Sequence, residues 1–288
     1  MTYSIVARDP KSGQLGVAVA THALAVGGLC PWVAPEAGAV ATQAMVEVGY
    51  GPRMIDALRQ SRPPDAALNE LLAADPAANV RQVAAVDVAG RVAVHTGARC
   101  IPVAGHVTGE GFSCQANMMR DPGVPEAMAE TFAATKGPLV HRLLATLEAA
   151  QAAGGDIRGL QSAAMRVVAG IPGAEQSGWL LDVRIDDHDA PLAELTRLVL
   201  LHEASNASEA AGPGADPGAP ARVAELGRGN PEGWFWYGVS LANNGRLEEA
   251  AAALQKAYAV SDDWRELLRR IPHMLPGDPA VVERLLRG

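Results

Sequence analysis

With 288 residues the chain is long enough for one large domain and a smaller one, and a charged fraction of 19% beside 49% hydrophobic residues is that of a soluble globular protein. A formal charge of −8, with no cluster of Lys and Arg interleaved with aromatics, excludes a nucleic-acid-binding footprint. No uncharged apolar run of about eighteen residues appears, which excludes a membrane-spanning helix on sequence grounds.

Aromatics make up only 4% of the chain, so the core has to be built from small aliphatic side chains. Arg8 and Asp9 interrupt the only apolar stretch near the N-terminus that could serve as a secretion signal, and the reading places the chain in the cytoplasm. The three cysteines, Cys30, Cys100 and Cys114, form no CxxC pair and are expected to be reduced thiols.

In chain order, Thr2 to Val6 and Leu15 to Ala20 read as two strands of a hairpin, joined by the polar turn Asp9-Pro10-Lys11-Ser12-Gly13. Gly38 to Gln43 reads as a third strand. Helices follow at Gly51 to Gln60 and Pro64 to Ala74, the second with Asp65 in its first turn. A second hairpin covers Gln82 to Val88 and Arg91 to Thr96, and Gly109 to Asn117 is expected to be extended. Two Ala-rich helices fit Val124 to Thr135 and Leu139 to Ala153, the latter ending on Gly154-Gly155 as a C-cap. Strands at Ala163 to Ala169 and Trp179 to Ile185 precede a helix from Pro191 to His202.

Hairpins outnumber βαβ units in this order. That argues for antiparallel sheets with helices on their outer faces, an α+β fold. The first domain is assigned to residues 1–204. Residues 205–221 read SNASEAAGPGADPGAPA, lack any apolar period, and are expected to be a linker. Residues 222–288 form a small all-α domain. Within it, Asn230 to Val260 resembles a tetratricopeptide repeat: Trp234, Tyr237, Gly238, Leu241, Ala250, Leu254 and Ala257 occupy the signature places around the turn Asn244-Gly245-Arg246. A single repeat cannot bury its own face well, so it must dock on neighbouring helices, on the first domain, or on another subunit.

Several stretches of the first domain, taken together, carry a further resemblance. They are TYSIVARDPKSGQLGVAVAT, GAVATQ, YGPR, VDVAGRVAVHTGARCIPVAGH, QANMM, AGGDIRGLQSA and LDVRIDDHDAPLAEL. In this order and spacing they are similar to the domain of unknown function 1028 family, grouped with the N-terminal nucleophile (Ntn) hydrolases, over roughly Met1 to His202. The resemblance implies a four-layer αββα sandwich of two antiparallel sheets, in which the first residue of the processed chain is the nucleophile.

On that reading Thr2 is the catalytic residue, exposed when Met1 is trimmed. Its own α-amine, titrating near about 7.7–8.0, acts as the base. The competing account makes Thr2 an ordinary strand-opening residue, and a retained Met1 blocks the amine. Ser4 shares a sheet face with Thr2 and can assist or replace it. Gln43 and Asn117, amides in apolar runs, are either core hydrogen-bond partners or oxyanion donors. His22, at the end of the second strand, is a candidate substrate contact. Tyr50 and Arg53 in YGPR suit a substrate carboxylate or a surface pair. Asp156, Arg158 and Gln161 lie in a polar loop just before a core strand, a frequent place for sites.

No close pair of ligands suggests a metal, and no P-loop or GxGxxG suggests a nucleotide, so no cofactor is expected. Two function classes stand. One is a cofactor-free hydrolase acting on carbon–nitrogen bonds other than peptide bonds, cleaving a small-molecule amide through a Thr acyl-enzyme. The other is a catalytically silent binding or scaffold protein that uses residues 222–288 for protein–protein interaction or self-association.

Overall fold

The computed structural model describes residues 2–170, 178–209 and 215–287. The chain divides into two compact units, Met1–Thr196 and Arg197–Gly288. Among the described residues the first unit holds a six-stranded and a four-stranded sheet, both antiparallel.

Strand β1 (Thr2–Arg8) and β2 (Leu15–Thr21) form the opening hairpin, with Tyr3 opposite Ala20 and Arg8 opposite Leu15. Asp9 closes its turn by accepting from the Ser12 backbone N–H at 2.8 Å and the Ser12 hydroxyl at 2.6 Å. The strands that follow are β3 (Pro31–Ala34), β4 (Gly38–Ala44), β5 (Arg81–Asp87), β6 (Val92–Thr96), β7 (Gly105–Gly109), β8 (Phe112–Asn117), β9 (Ser162–Val168) and β10 (Trp179–Ile185). Their order is β10-β9-β2-β1-β8-β7 in the larger sheet and β3-β4-β5-β6 in the smaller.

Two of these strands escape the sequence reading, and both are edges. The four-residue β3 starts on a proline, which an edge tolerates because its N–H side need not pair. The segment expected to be extended from Gly109 to Asn117 holds β8, while its hairpin partner β7, bracketed by Gly105 and Gly109, precedes it. Short, glycine-flanked edge strands leave little alternation to read.

The sheets stack face to face because alternation gives each strand two unlike faces. From β1, Val6 points inward to join Val17, Val19, Ala39, Ala41, Ala84 and Val86 in the inter-sheet core. Tyr3, on the opposite face of β1, donates its hydroxyl to Gln151 Oε1 at 3.2 Å. Gln151 belongs to α4 (Leu139–Ala152), which with α3 (Val124–Ala134) covers the larger sheet. Helices α1 (Tyr50–Arg59) and α2 (Pro64–Ala74) cover the smaller one. The result is the four-layer αββα sandwich.

With so few aromatics, close packing relies on glycine and alanine. A Cβ at Gly38 meets the Val86 carbonyl oxygen at 2.4 Å and Leu58 Cδ1 at 2.5 Å. Backbone cannot yield as a side-chain tip can, so Gly38→Ala is expected to lower unfolding free energy by about 1–3 kcal/mol. Urea denaturation checks this, as a reduced midpoint at constant slope.

The division between the units falls within α5 (Pro191–Ser208), which extends beyond the expected end at His202 and into the expected linker. Ala, Ser, Asn and Glu there are all compatible with helix. Beyond it come α6 (Ala219–Leu226), α7 (Glu232–Asn243), α8 (Leu247–Tyr258), α9 (Asp263–Arg270) and α10 (Pro279–Arg287). Phe235, Leu241, Ala250, Leu254, Leu268 and Leu285 belong to the second unit's core. Gly238 lets α7 and α8 close, since a Cβ there sits 2.7 Å from Leu254 Cγ. Among the described residues no helix is long and apolar enough to cross a membrane.

Candidate functional site

The inward face of β1 changes character along its length. Val6 sits in apolar core, whereas Ser4 and Thr2 enter a layer of amides and hydroxyls between the sheets. Register explains the convergence. Thr2 pairs with Asn117 and Ser4 with Gln115 across β1–β8, while Gln43 pairs with Gln82 across β4–β5.

These side chains satisfy one another, as buried amides must. Ser4 Oγ donates to Gln43 Oε1 at 2.7 Å and accepts from Gln115 Nε2 at 2.6 Å. Gln115 Oε1 in turn accepts from the Ser113 hydroxyl at 2.9 Å. Gln82 Oε1 accepts from Gln43 Nε2 at 2.7 Å and from Asn117 Nδ2 at 3.0 Å. Gln82 Nε2 lies within 3.1 Å of Thr96 Oγ1 and the carbonyls of Gly105 and Ala116. Thr96 Oγ1 continues to His106 Nδ1 at 2.8 Å.

Thr2 sits where this layer meets the end of the strand. Its carbonyl oxygen accepts from Gln43 Nε2 at 3.3 Å and Asn117 Nδ2 at 3.4 Å. Its hydroxyl donates to Thr21 Oγ1 at 3.2 Å. Met1, on whose removal the expected chemistry depends, lies outside the described residues.

The end of β2 beside Thr2 is fastened by Asp156. This fully buried carboxylate accepts from the His22 backbone N–H at 3.2 Å and the Arg158 backbone N–H at 2.9 Å. It also pairs with the Arg158 guanidinium at 3.3 Å. A buried carboxylate held this way is structural glue for the loop and neutralises the arginine. Burial, and then the Asp156 charge, push the Tyr3 phenol well above its ordinary value, so Tyr3 stays protonated.

A cavity of about 220 Å³ opens against Asn117 and Arg158. Its remaining walls are the apolar Ala44, Met45, Val80, Ile101 and Met118. Ala44 and Met118 immediately follow the network amides Gln43 and Asn117, and both adopt left-handed backbone, with φ of 70° and 57°. Non-glycine residues are rarely held there, and such strain concentrates at ligand sites.

Two comparisons bear on this unit. A family model described as "Family of unknown function (DUF1028)" matches residues 2–195. The chain belongs to the DUF1028 family. The crystal structure of protein SPO2555 from Silicibacter pomeroyi, described under the same family model, is similar to it. It has 36% sequence identity and a TM-score of 0.63, over 69% of this chain and 84% of that one. No curated protein matches the chain.

Within the DUF1028 domain, Thr2, Ser4, Gln43 and Asn117 are thus bonded together, and Asp156, Arg158 and the His22 backbone adjoin them. Of the sequence candidates, Asn117 and Arg158 alone line the cavity, and three others are engaged elsewhere. The Gln161 amide donates to Asp187 at 3.0 Å. Arg53 is exposed, donating Nε to the Gly49 carbonyl at 2.8 Å, with its guanidinium 5.6 Å from the Tyr50 ring centre.

Tyr50 is buried in the DUF1028 domain, and its hydroxyl donates to Asp75 Oδ2 at 3.1 Å. Burial first, then Asp75, push its phenol up to about 12. Arg81 donates to the same carboxylate at 2.9 Å and holds Asp75 below its ordinary value. Asp75 titrates near about 3.9 in an unfolded chain and lower in the folded one. Its contribution to stability is therefore complete above the unfolded value and lost as pH falls through the folded one. Asp75→Asn is expected to reduce the fall in urea midpoint between about pH 6 and pH 3.

Gln82, the centre of the amide layer, lies outside the sequence candidates, whereas a regular hairpin already sets Thr21, at the end of β2, near Thr2. The only signal for Gln82 is an amide at the start of an otherwise apolar strand, RQVAAVD. Burial pushes the Cys30 thiol up to about 12 and raises Cys114 as well, so neither favours a thiolate at neutral pH.

Proposed function

We propose that the DUF1028 domain is an N-terminal nucleophile amidohydrolase, cleaving a C–N amide bond of a small molecule through a Thr2 acyl-enzyme. The observation that carries this reading is the setting of Thr2. Its carbonyl is clamped by two buried amides, its hydroxyl is directed onto Thr21, and Asn117, which holds it, also walls a cavity.

Once Met1 is removed, Thr2 Oγ attacks the substrate carbonyl carbon and the free α-amine takes the hydroxyl proton. Asn117 Nδ2 is the oxyanion donor once it turns from the Thr2 carbonyl, the longer of its two bonds at 3.4 Å, onto the substrate. The C–N bond breaks as that proton passes to the leaving nitrogen, giving an ester on Thr2. Water then attacks the ester, releasing the acid and restoring the hydroxyl. No cofactor is required. Gln43 and Ser4 act as positioning residues, because Ser4 Oγ already donates and accepts within the layer. Arg158 and His22 meet the substrate at the mouth, with Asp156 holding both. The apolar remainder of the cavity supports a small, largely uncharged acyl group. The proposal sets this chemistry in the cytoplasm, consistent with three buried free cysteines.

The test is a panel of small amides followed by amine and ammonia release, using protein whose N-terminus is established by intact mass. Turnover by chains that begin at Thr2 supports the reading. Active protein that retains Met1 overturns it.

A second reading, a catalytically silent fold with a recruiting module, is favoured by one feature of the helical unit. Trp236, Ser240, Asn243 and Met274 line a groove of about 380 Å³ there. Partner capture or self-association that needs residues 222–288 and ignores Thr2 would support it.

A further inference from the structure

The inward face of β1 ends on Arg8, about 20 Å along the strand from Thr2 at about 3.3 Å per residue. Beside it, at this end of the sandwich, lies a second cavity, of about 460 Å³, between the β5–β6 and β7–β8 turns and helices α3 and α4. Arg8 and Arg142 both line it, and three glycines, Gly90, Gly109 and Gly111, leave it unfilled. An adjoining cavity of about 280 Å³ shares Arg142 and adds Lys11 and Lys136.

Each guanidinium has a spare Nε, although Arg142 also donates Nη1 to Asp9 and Nη2 to the Phe132 carbonyl, both at 3.3 Å. The Nε atoms of Arg8 and Arg142 are buried and have no hydrogen-bond partner. Arg8 has no carboxylate partner among the described residues, although Glu110 lines the same cavity. Arg142 stacks on the Phe132 ring, 4.0 Å from its centre, and pairs with Asp9 at 3.3 Å. Asp9 already accepts two bonds from Ser12 through its other oxygen. Four cations therefore face two carboxylates, in a chain whose formal charge is −8. A buried guanidinium N–H without an acceptor costs free energy that an incoming oxyanion recovers. Burial also lowers the Arg142 pKa, so its cation is held at a cost that an anion offsets.

We propose that this end of the sandwich binds a small tetrahedral dianion, phosphate either free or as a phosphomonoester, between Arg8 and Arg142. The excess of cations over carboxylates matches a dianion. The Nε and Nη edges of two guanidiniums suit its several oxygens. Lys11 and Lys136, both exposed, add charge at the mouth.

The test is calorimetric titration of the full chain with inorganic phosphate, glycerol phosphate and succinate. Saturable binding of phosphate or glycerol phosphate is expected at millimolar ligand. The tighter of the two identifies the source. Arg8→Gln is expected to weaken it about 10- to 100-fold, the loss of a charge-assisted hydrogen bond, and Arg8→Lys to weaken it less. If Arg8→Gln lowers stability enough to prevent measurement, the surface pair Lys11→Gln with Lys136→Gln replaces it, with several-fold weakening expected. Absence of saturable binding, binding unchanged in these variants, or succinate binding as tightly as phosphate overturns the proposal.

Discussion

Replacing Gln82 with leucine is expected to destabilise the sandwich by about 3–5 kcal/mol, the largest single-residue stability loss anticipated here outside the apolar core. Its oxygen is the acceptor for Gln43 and Asn117, and its nitrogen serves Thr96 and the carbonyls of Gly105 and Ala116. Leucine fills the volume but takes a hydrogen bond from polar groups on four strands, several of them buried. Each such group costs about 1–3 kcal/mol, reduced where neighbours relax. The measurement is urea unfolding, read as a lower midpoint at unchanged slope. Gln60→Leu, on an exposed site, serves as the comparison and is expected to stay within about 0.5 kcal/mol. A Gln82→Leu loss below that of a surface change would mean the amide layer does not stabilise the fold.

Thr2→Ala is expected to abolish turnover, with kcat falling by at least about a thousandfold. The variant removes the attacking oxygen while leaving the α-amine and the clamped carbonyl in place. Stability should change little by comparison, since the hydroxyl's bond to Thr21 is long, at 3.2 Å. Thr2→Ser retains the hydroxyl and is expected to keep measurable activity. The pH profile separates this mechanism from one using a side-chain base. An α-amine can accept a proton only when it is unprotonated, so kcat/KM should rise with pH through about 7.7–8.0 and then level off. A profile that rises near the carboxylate range, or full activity in Thr2→Ala, excludes the amine and the hydroxyl respectively.

Much of the architecture is legible in the sequence because it is local. Period-two alternation and the Asp9–Gly13 turn give the opening hairpin, and apolar spacing with proline starts gives α2, α3 and α4 to within a residue or two. The edge strands β3 and β7 are not legible, since neither is long or buried enough to impose a pattern. The helix α5 overruns its expected end because Ser, Asn and Glu do not by themselves stop a helix.

The candidate site divides along the same line. Sequence picks out Gln43 and Asn117 as amides in apolar runs, and Thr2, with Ser4 on its face, through the family resemblance. It also marks the 154–161 loop as polar. It cannot say that Gln43, Gln82 and Asn117, on three strands far apart in the chain, meet at one point. Alternation fixes which residues share a face of one strand. Which faces oppose each other depends on sheet order and on stacking across about 10 Å, and only the tertiary structure sets these. The same holds for the left-handed backbone at Ala44 and Met118, which neither residue type favours, and for the burial of Asp156. At the far end, sequence places Arg8 just after the first strand, next to the Asp9–Gly13 turn. Only the packed hairpin turns around it leave its guanidinium enclosed beside Arg142 without an acceptor. Sequence by itself thus determines the long strands, most of the helices and the polar residues that break their pattern. Tertiary packing decides which of those residues face one another, because burial and hydrogen bonding between distant segments exist only once the sheets have stacked.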